Sequence, residues 1–545
     1  MISLLYSLLV KKNIQFLLSI VFCSLVSALN FDPEDWYVVK SMGNISSITE
    51  DDYLIYILAD NGIFTIDKSS GDFEYNIELS DNFYDPQIIY YDKYSDFFWL
   101  ITRREVYVKS SVSSYWRNLS SAELGFSYVR PIYDIGSSPS YVWLDFGTEI
   151  YPLYSYGKGI SDGDLIDFSE SNLIDWGEYS NGRSGKLLDI SQYLIMDDWS
   201  VGLKDIRDLD GNIINPTVKL EDSNGDVWIG SQEGILLKGW RNSHRLEVLN
   251  LGPESSIVTV YEKDKYGNWW FGDSPFMRNR KIYNNSKHKR FKISHWLENE
   301  NKWNYLLPTD YNELSYDINN IHKNGSFLYI STLGGLIVYD IIEDDWQLLK
   351  EKDGLRDNAV WDLEQYGNSL YIATKYGLNE VSILNNKVIP NSSNWISQFN
   401  NIEIYDIELD KNKFLIASED GLYKVDHDNS NIVKISNRIF NTIQVVNGKV
   451  WSKNSSLWVI DDEGEIKIEN KVSSFYVYND FLWITNGKNI TLMNIKTEQS
   501  WDIPLEKGIK DAQIYSLSCD EEWVWLLSDK GIIFYNWVIY NNEKN

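Results

Sequence analysis

Cysteine and histidine are scarce in this 545-residue chain, with two of the first and five of the second. One cysteine, Cys23, lies in an apolar leader, so a processed chain is expected to keep Cys519 alone and to form no internal disulfide. Its stability must then come from packing. The histidines (His244, His288, His295, His322 and His427) are scattered, and none stands in an HExxH phrase or another paired ligand spacing. No metal and no cofactor is expected. Basic residues are outnumbered, 50 Lys and Arg against 79 Asp and Glu, for a formal net charge of −29. A surface of that sign repels phosphate backbones, which argues against nucleic acid as a partner. P-loops, dinucleotide fingerprints and GxSxG elbows are also missing.

Long hydrophobic runs are missing after the N-terminus. The leader, residues 1–28, has Lys11 and Lys12, an apolar run from Ile14 to about Val26, and small residues at Val26-Ser27-Ala28. That order reads as a secretory signal cleaved near Ala28. The run is short for a membrane span, which needs about 20 residues. A soluble periplasmic, outer-surface or secreted protein without a membrane span is expected.

Aromatic residues are plentiful: 22 Trp and 37 Tyr, in short Val/Ile/Tyr-rich runs broken by Gly, Asn and Asp. One phrase recurs. A short apolar strand centred on an aromatic ends in a small or polar residue, and a Gly then opens a second apolar strand. Clear copies are Val227-Trp228-Ile229-Gly230-Ser231 with Gly234, Leu328-Tyr329-Ile330-Ser331-Thr332 with Gly335, and Leu370-Tyr371-Ile372-Ala373-Thr374 with Gly377. Phe414-Leu415-Ile416-Ala417-Ser418 with Gly421 and Val524-Trp525-Leu526-Leu527-Ser528 with Gly531 follow the same pattern. Weaker copies centre on Tyr56, Trp99, Trp143, Tyr193, Trp270, Trp451 and Trp483.

The spacing is mostly about 40–45 residues, which with four strand-sized segments per repeat is the signature of propeller blades. The fold class read from this is all-β: a β-propeller of about twelve four-stranded blades, grouped in two rings. The longest gap, from Trp270 to Tyr329, suggests one propeller over residues 29–300 and another over 301–545, about six blades each. A competing topology puts the first and last blades in one ring. The last repeat has little room for an outer strand, whereas Asp35-Trp36-Tyr37-Val38-Val39-Lys40 matches the outer-strand phrase Asp345-Trp346-Gln347-Leu348-Leu349-Lys350. Residues 35–40 are therefore expected to complete the final blade and remove an open edge. The anchor aromatics read as blade packing instead of a ligand platform. Trp116, Trp346 and Trp501 are expected on outer strands.

The stretch DSNGDVWIGSQEGI, residues 222–235, resembles the two-component-regulator propeller repeat, whose pattern runs D-x-x-G-x-x-W-I-G-T-x-x-G-L. NSLYIATKYGL, residues 368–378, is similar. The resemblance implies a propeller and a sensor-like role, because in that family such propellers form periplasmic sensors of hybrid histidine kinases responding to polysaccharide fragments. No kinase or DNA-binding module follows before Asn545, so any signal is expected to pass to a separate partner.

Candidate sites are few. Arg278, Arg280, Lys281, Lys287, Lys289, Arg290 and Lys292 form a basic stretch without an acid. It could hold an anionic partner or glycan, with Arg278, Arg280, Lys281, Lys289 and Arg290 as ligand-binding candidates. Asp205, Asp208 and Asp210 do not match a calcium loop and read as turn caps. No catalytic constellation is apparent. The sequence points to a non-enzymatic binding, sensor-like or scaffold protein for a protein or glycan partner in the cell envelope. The alternative is a propeller hydrolase or lyase with its active site at the propeller centre.

Overall fold

The computed structural model describes residues 36–537, with breaks of which the longest are 125–130, 160–165, 180–187, 282–292 and 307–316. The leader and its cleavage point lie outside the described residues. Ten repeats each form a blade around four antiparallel strands in sequence order. They are blades 1 (45–75), 2 (86–119), 3 (134–159), 5 (216–249), 6 (260–306), 7 (318–349), 8 (360–388), 9 (404–436), 10 (442–470) and 11 (474–503). One further short strand joins the sheet of blade 3, and two join that of blade 5. Blade 12 takes three strands from 514–536 and its fourth, Trp36–Val39, from the other end of the chain. Trp36 faces Tyr535 and Val39 faces Ile532 in that antiparallel register.

Local chemistry explains the repeated phrase. The second strand of most blades is buried on both faces, because each sheet is sandwiched between neighbouring sheets, and all twelve anchor residues are 0–5 % exposed. The hydroxyl that ends this strand closes the hairpin: Thr374 Oγ1 donates to Gly377 O at 2.7 Å, and Ser528 Oγ donates to Gly531 O at 2.8 Å. The following glycine is required by space. A Cβ on Gly335 or Gly421 would sit 2.4 Å from a carbonyl oxygen of the outer strand, in a backbone with φ near +130°. Gly531 obeys the same rule, but the oxygen in its way belongs to Val39 of the N-terminal strand. Trp346 and Trp501 lie on outer strands and Trp116 directly precedes one.

The inner strands of blades 6 to 12 touch in order, each with the next. Blade 12 then packs on blade 6: Val39, Trp525, Leu527 and Phe534 meet Val258, Trp269 and Trp296. Trp269 stands edge-on to Trp525 at 5.2 Å. Blades 6 to 12 thus close a ring of seven. Blade 1 touches blades 2 and 5, and blade 2 touches blade 3. The division expected near residue 300 therefore falls between 249 and 260 instead, and blade 6 goes with the later blades. The long gap misled because it reflects an insertion within blade 6, between its second strand, Asn268–Gly272, and its third, Ile293–Leu297.

A second difference concerns the fourth repeat. Tyr193 is buried but only precedes a two-residue strand, Leu194–Ile195, that pairs in parallel with the outer strand of blade 5, and a three-stranded sheet at 200–214 packs on the same blade. Asp208 there accepts two hydrogen bonds from Asn212, as a turn cap does.

Candidate functional site

The seven inner strands begin around a cavity of about 970 Å³. Every blade of the ring contributes, among them Thr259 of the blade 6 edge, Asn319, Trp361, Tyr405, Thr442, Ser474 and Tyr515. Among the described residues, three lysines also line this mouth, Lys453, Lys471 and Lys488, and no carboxylate does. Lys453 ends a strand of blade 10 and Lys471 and Lys488 stand on loops, in a region of blades 10 and 11 that the main chain ties together. Asn441 N–H donates to Lys453 O at 2.7 Å, Val472 N–H to Ser455 O at 3.1 Å, and Ser473 N–H to Thr485 O at 2.7 Å. Gln513 Nε2 of the blade 12 edge donates to Gly487 O at 2.8 Å, which fixes the loop that carries Lys488.

Below the mouth, polar side chains stitch each inner strand to the next. Glu262 accepts from Lys323 N–H at 3.1 Å, and Asn319 Nδ2 donates to Val360 O at 2.7 Å. Asp362 accepts from Asn320 and from Ile407 N–H, the latter at 2.9 Å. Asp406 accepts from Ile443 N–H at 2.7 Å. Gln444 both accepts from Val477 N–H at 2.8 Å and donates to Val477 O at 3.0 Å. Ser474 Oγ accepts from Leu517 N–H at 3.4 Å, and a side-chain hydrogen bond joins Ser518 to Tyr261. Apart from the Asn320–Asp362 and Ser518–Tyr261 pairs, each tie satisfies a main-chain group at the rim of the channel that no sheet partner can reach.

Five of these wall residues are acids: Glu262, Asp362, Glu364, Asp406 and Glu408. Burial, reinforced by Asp362 and Glu408, pushes the Glu364 carboxyl up to about 8. Burial and Asp362 push Glu408 up to about 7. Burial also raises Glu262. Asp406 is raised well above the usual carboxylate range by burial, by the charge of Asp362 and by a hydrogen bond with it. Strand geometry places Asp362 and Asp406 one residue past the mouth-lining Trp361 and Tyr405, and Glu364 and Glu408 two residues further, roughly 7 Å deeper. The channel is thus basic at its mouth and acidic in its throat. Among the described residues no group of three or more His, Cys, Asp or Glu could hold a metal ion.

Of the basic candidates, Arg278, Lys287, Lys289, Arg290 and Lys292 lie outside the described residues. Arg280–Lys281 form a short strand paired with Phe276–Met277. The insertion that carries them leaves blade 6 after Gly272, which pairs with the mouth residue Val260. Sequence reasoning missed the throat acids, yet they repeat visibly: Trp361-Asp362-Leu363-Glu364 recurs as Tyr405-Asp406-Ile407-Glu408.

No family model matches the chain, and no curated protein does. Solved structures do resemble it. The extracellular domain of the hybrid two component system BT4673 from B. thetaiotaomicron is 14% identical, with 90% of this chain and 75% of that one covered, at a TM-score of 0.43. The corresponding domain of BT3049 from the same organism is 13% identical, covers 93% and 84%, and gives 0.35. Virginiamycin B lyase from Staphylococcus aureus is 12% identical over 51% of this chain and 94% of its own, at 0.38. The chain is an all-β protein built of β-propeller blades.

Proposed function

We propose that the chain is a non-enzymatic, sensor-like binding protein of the cell envelope whose protein or glycan partner docks at the mouth of the seven-bladed ring. One observation carries this reading: a concave cavity of ligand size, about 970 Å³, to which all seven blades contribute. Its wall mixes aromatic rings, amides, hydroxyls and lysines, the composition of a recognition surface. The throat acids favour binding over catalysis, because Glu262, Asp362, Asp406 and Glu408 are each engaged by main-chain N–H groups of the next blade. The test is capture of envelope-fraction partners and a glycan array with the mature chain, against a Trp361→Ala, Asn319→Ala variant. Loss of capture in the variant is expected. Undiminished capture would remove the mouth from the reading.

The same throat supports a second reading, a hydrolase or lyase. Glu364 makes no such main-chain tie, stands near Glu408 on the adjacent blade, and is held protonated near neutral pH as a general acid would be. Release of new reducing ends or unsaturated products, abolished by Glu364→Gln, would establish it.

A further inference from the structure

Open sheet edges are blunted in several ways in this molecule. The last sheet takes Trp36–Val39 on its open side, and Leu194–Ile195 runs beside the outer strand of blade 5. The outer strands of blades 3 and 8, Lys158–Gly159 and Lys387–Val388, are only two residues long. Covering and shortness are how natural sheets avoid joining others. The outer strand of blade 10, Gly464–Asn470, has neither protection. At seven residues it is the longest of the described outer strands, and it buries none of them. Ile466 is 52 % exposed on it. A two-residue turn precedes it, across which Asp461 faces Gly464. The pair that flanks such a turn is hydrogen-bonded within the sheet, and the ladder alternates from there. Ile466 therefore bonds inward to Val459, whereas the N–H and C=O groups of Glu465 and Lys467 point away from the blade. The bulge in this ladder comes after Lys467, so the outward row is regular up to that point.

The side chains at the two outward positions carry opposite charges. Laid antiparallel on a second copy of itself, with a two-fold axis at Ile466, this edge sets Glu465 opposite Lys467 of the other copy, and Lys467 opposite Glu465. In both pairs the opposed residues exchange two main-chain hydrogen bonds, and Ile466 meets its own copy on the opposite face. A lysine on an edge ordinarily repels the same lysine of another copy. Here the glutamate two residues earlier converts that repulsion into attraction. Glu465 accepts from Arg438 Nε at 2.7 Å, and a carboxylate has room for about four such bonds. Lys467 Nζ stands 5.7 Å from the centre of the Trp458 ring. We propose that this edge is a self-association surface through which two chains pair, joining their two copies of blade 10 into one eight-stranded antiparallel sheet. The contact is small, so the pair is expected to be in exchange, half formed at about 10–100 µM. None of residues 464–470 lines the mouth, so the pairing needs no ligand there.

The test is sedimentation velocity on the whole mature chain from about 2 to about 300 µM, where the sedimentation coefficient is expected to rise with concentration toward that of a dimer. Lys467→Glu and Glu465→Lys each set like charges opposite at both pairs and are expected to weaken association at least about tenfold. An equimolar mixture of the two variants makes every opposed pair attractive again and should associate about as well as the native chain. Lys467→Pro should also leave monomers, because the N–H it removes points away from its own sheet. Circular dichroism and an unchanged melting midpoint confirm that each variant folds. A native chain that stays monomeric to the highest concentration overturns the proposal. So does association that neither charge variant nor Lys467→Pro weakens. A mixture no better associated than its two components overturns it as well, because the two-fold register centred on Ile466 is then wrong.

Discussion

Glu364 and Glu408 show how single side chains in the channel wall respond to solution conditions. Both carboxyls are raised in the folded state, to about 8 and about 7, by burial among other acids. A raised carboxyl binds its proton more tightly in the native than in the unfolded chain. The stability it contributes is complete below the unfolded value near 4.5 and is lost as pH rises through the folded value. The melting midpoint is therefore expected to fall between pH 5 and 8. The Glu364→Gln, Glu408→Gln double variant should flatten that slope by about 1–2 kcal/mol, since water in the channel screens part of the effect. Equal slopes in both proteins would refute it. These acids were legible as a repeated phrase, W-D-L-E and Y-D-I-E, but their meeting was not. Sequence spacing does not reveal that consecutive repeats bring their inner strands side by side, nor that the lysines at 453, 471 and 488 share one rim.

At the scale of the strand, the closing element is the most exposed to test. Trp36–Val39 covers the edge of the last sheet, sets Trp36 against Tyr535 in a tilted ring contact at 4.6 Å, and contributes to apolar clusters on both of its faces. Removing residues 29–41 should lower the melting midpoint by well over 10 °C, because burial of one large side chain alone is worth about 1.5–3 kcal/mol. Gly531→Ala attacks the same seam from the other strand. Its Cβ would stand 2.3 Å from Val39 O, and a cost of about 1–3 kcal/mol is expected in denaturant unfolding. An unchanged midpoint in either case would contradict the packing described. Here the sequence was informative, because the outer-strand phrase at residues 35–40 copies that at 345–350. It was silent on Tyr193, whose aromatic-centred phrase looks like an anchor strand although the segment adds only a two-residue strand to the edge of blade 5.

At the scale of the molecule, the grouping of blades sets what can fold alone. A fragment of residues 257–537 holds six complete blades and three strands of a seventh, so it is expected to aggregate or melt early. The same fragment with residues 35–40 appended at its C-terminus should melt cooperatively and near the full-length value, by calorimetry. If the unmodified fragment is equally stable, the closing strand is dispensable. The spacing of repeats could not have revealed this grouping, since the largest gap came from an insertion inside a blade.

The pairing of Trp36 with Tyr535 also fixes an order of events in time. At about 5–20 residues per second, synthesis delivers the strand's partner roughly 25–100 s after the strand itself. Throughout that interval Trp36, Tyr37 and Val38 have no sheet to join, and drawing the two ends together costs about 5–6 kcal/mol of chain entropy. The ring therefore cannot lock until residues 532–535 have been made. Closure waits for residues 531–536, and any product lacking them is left with the open edge that proteases and aggregation find first.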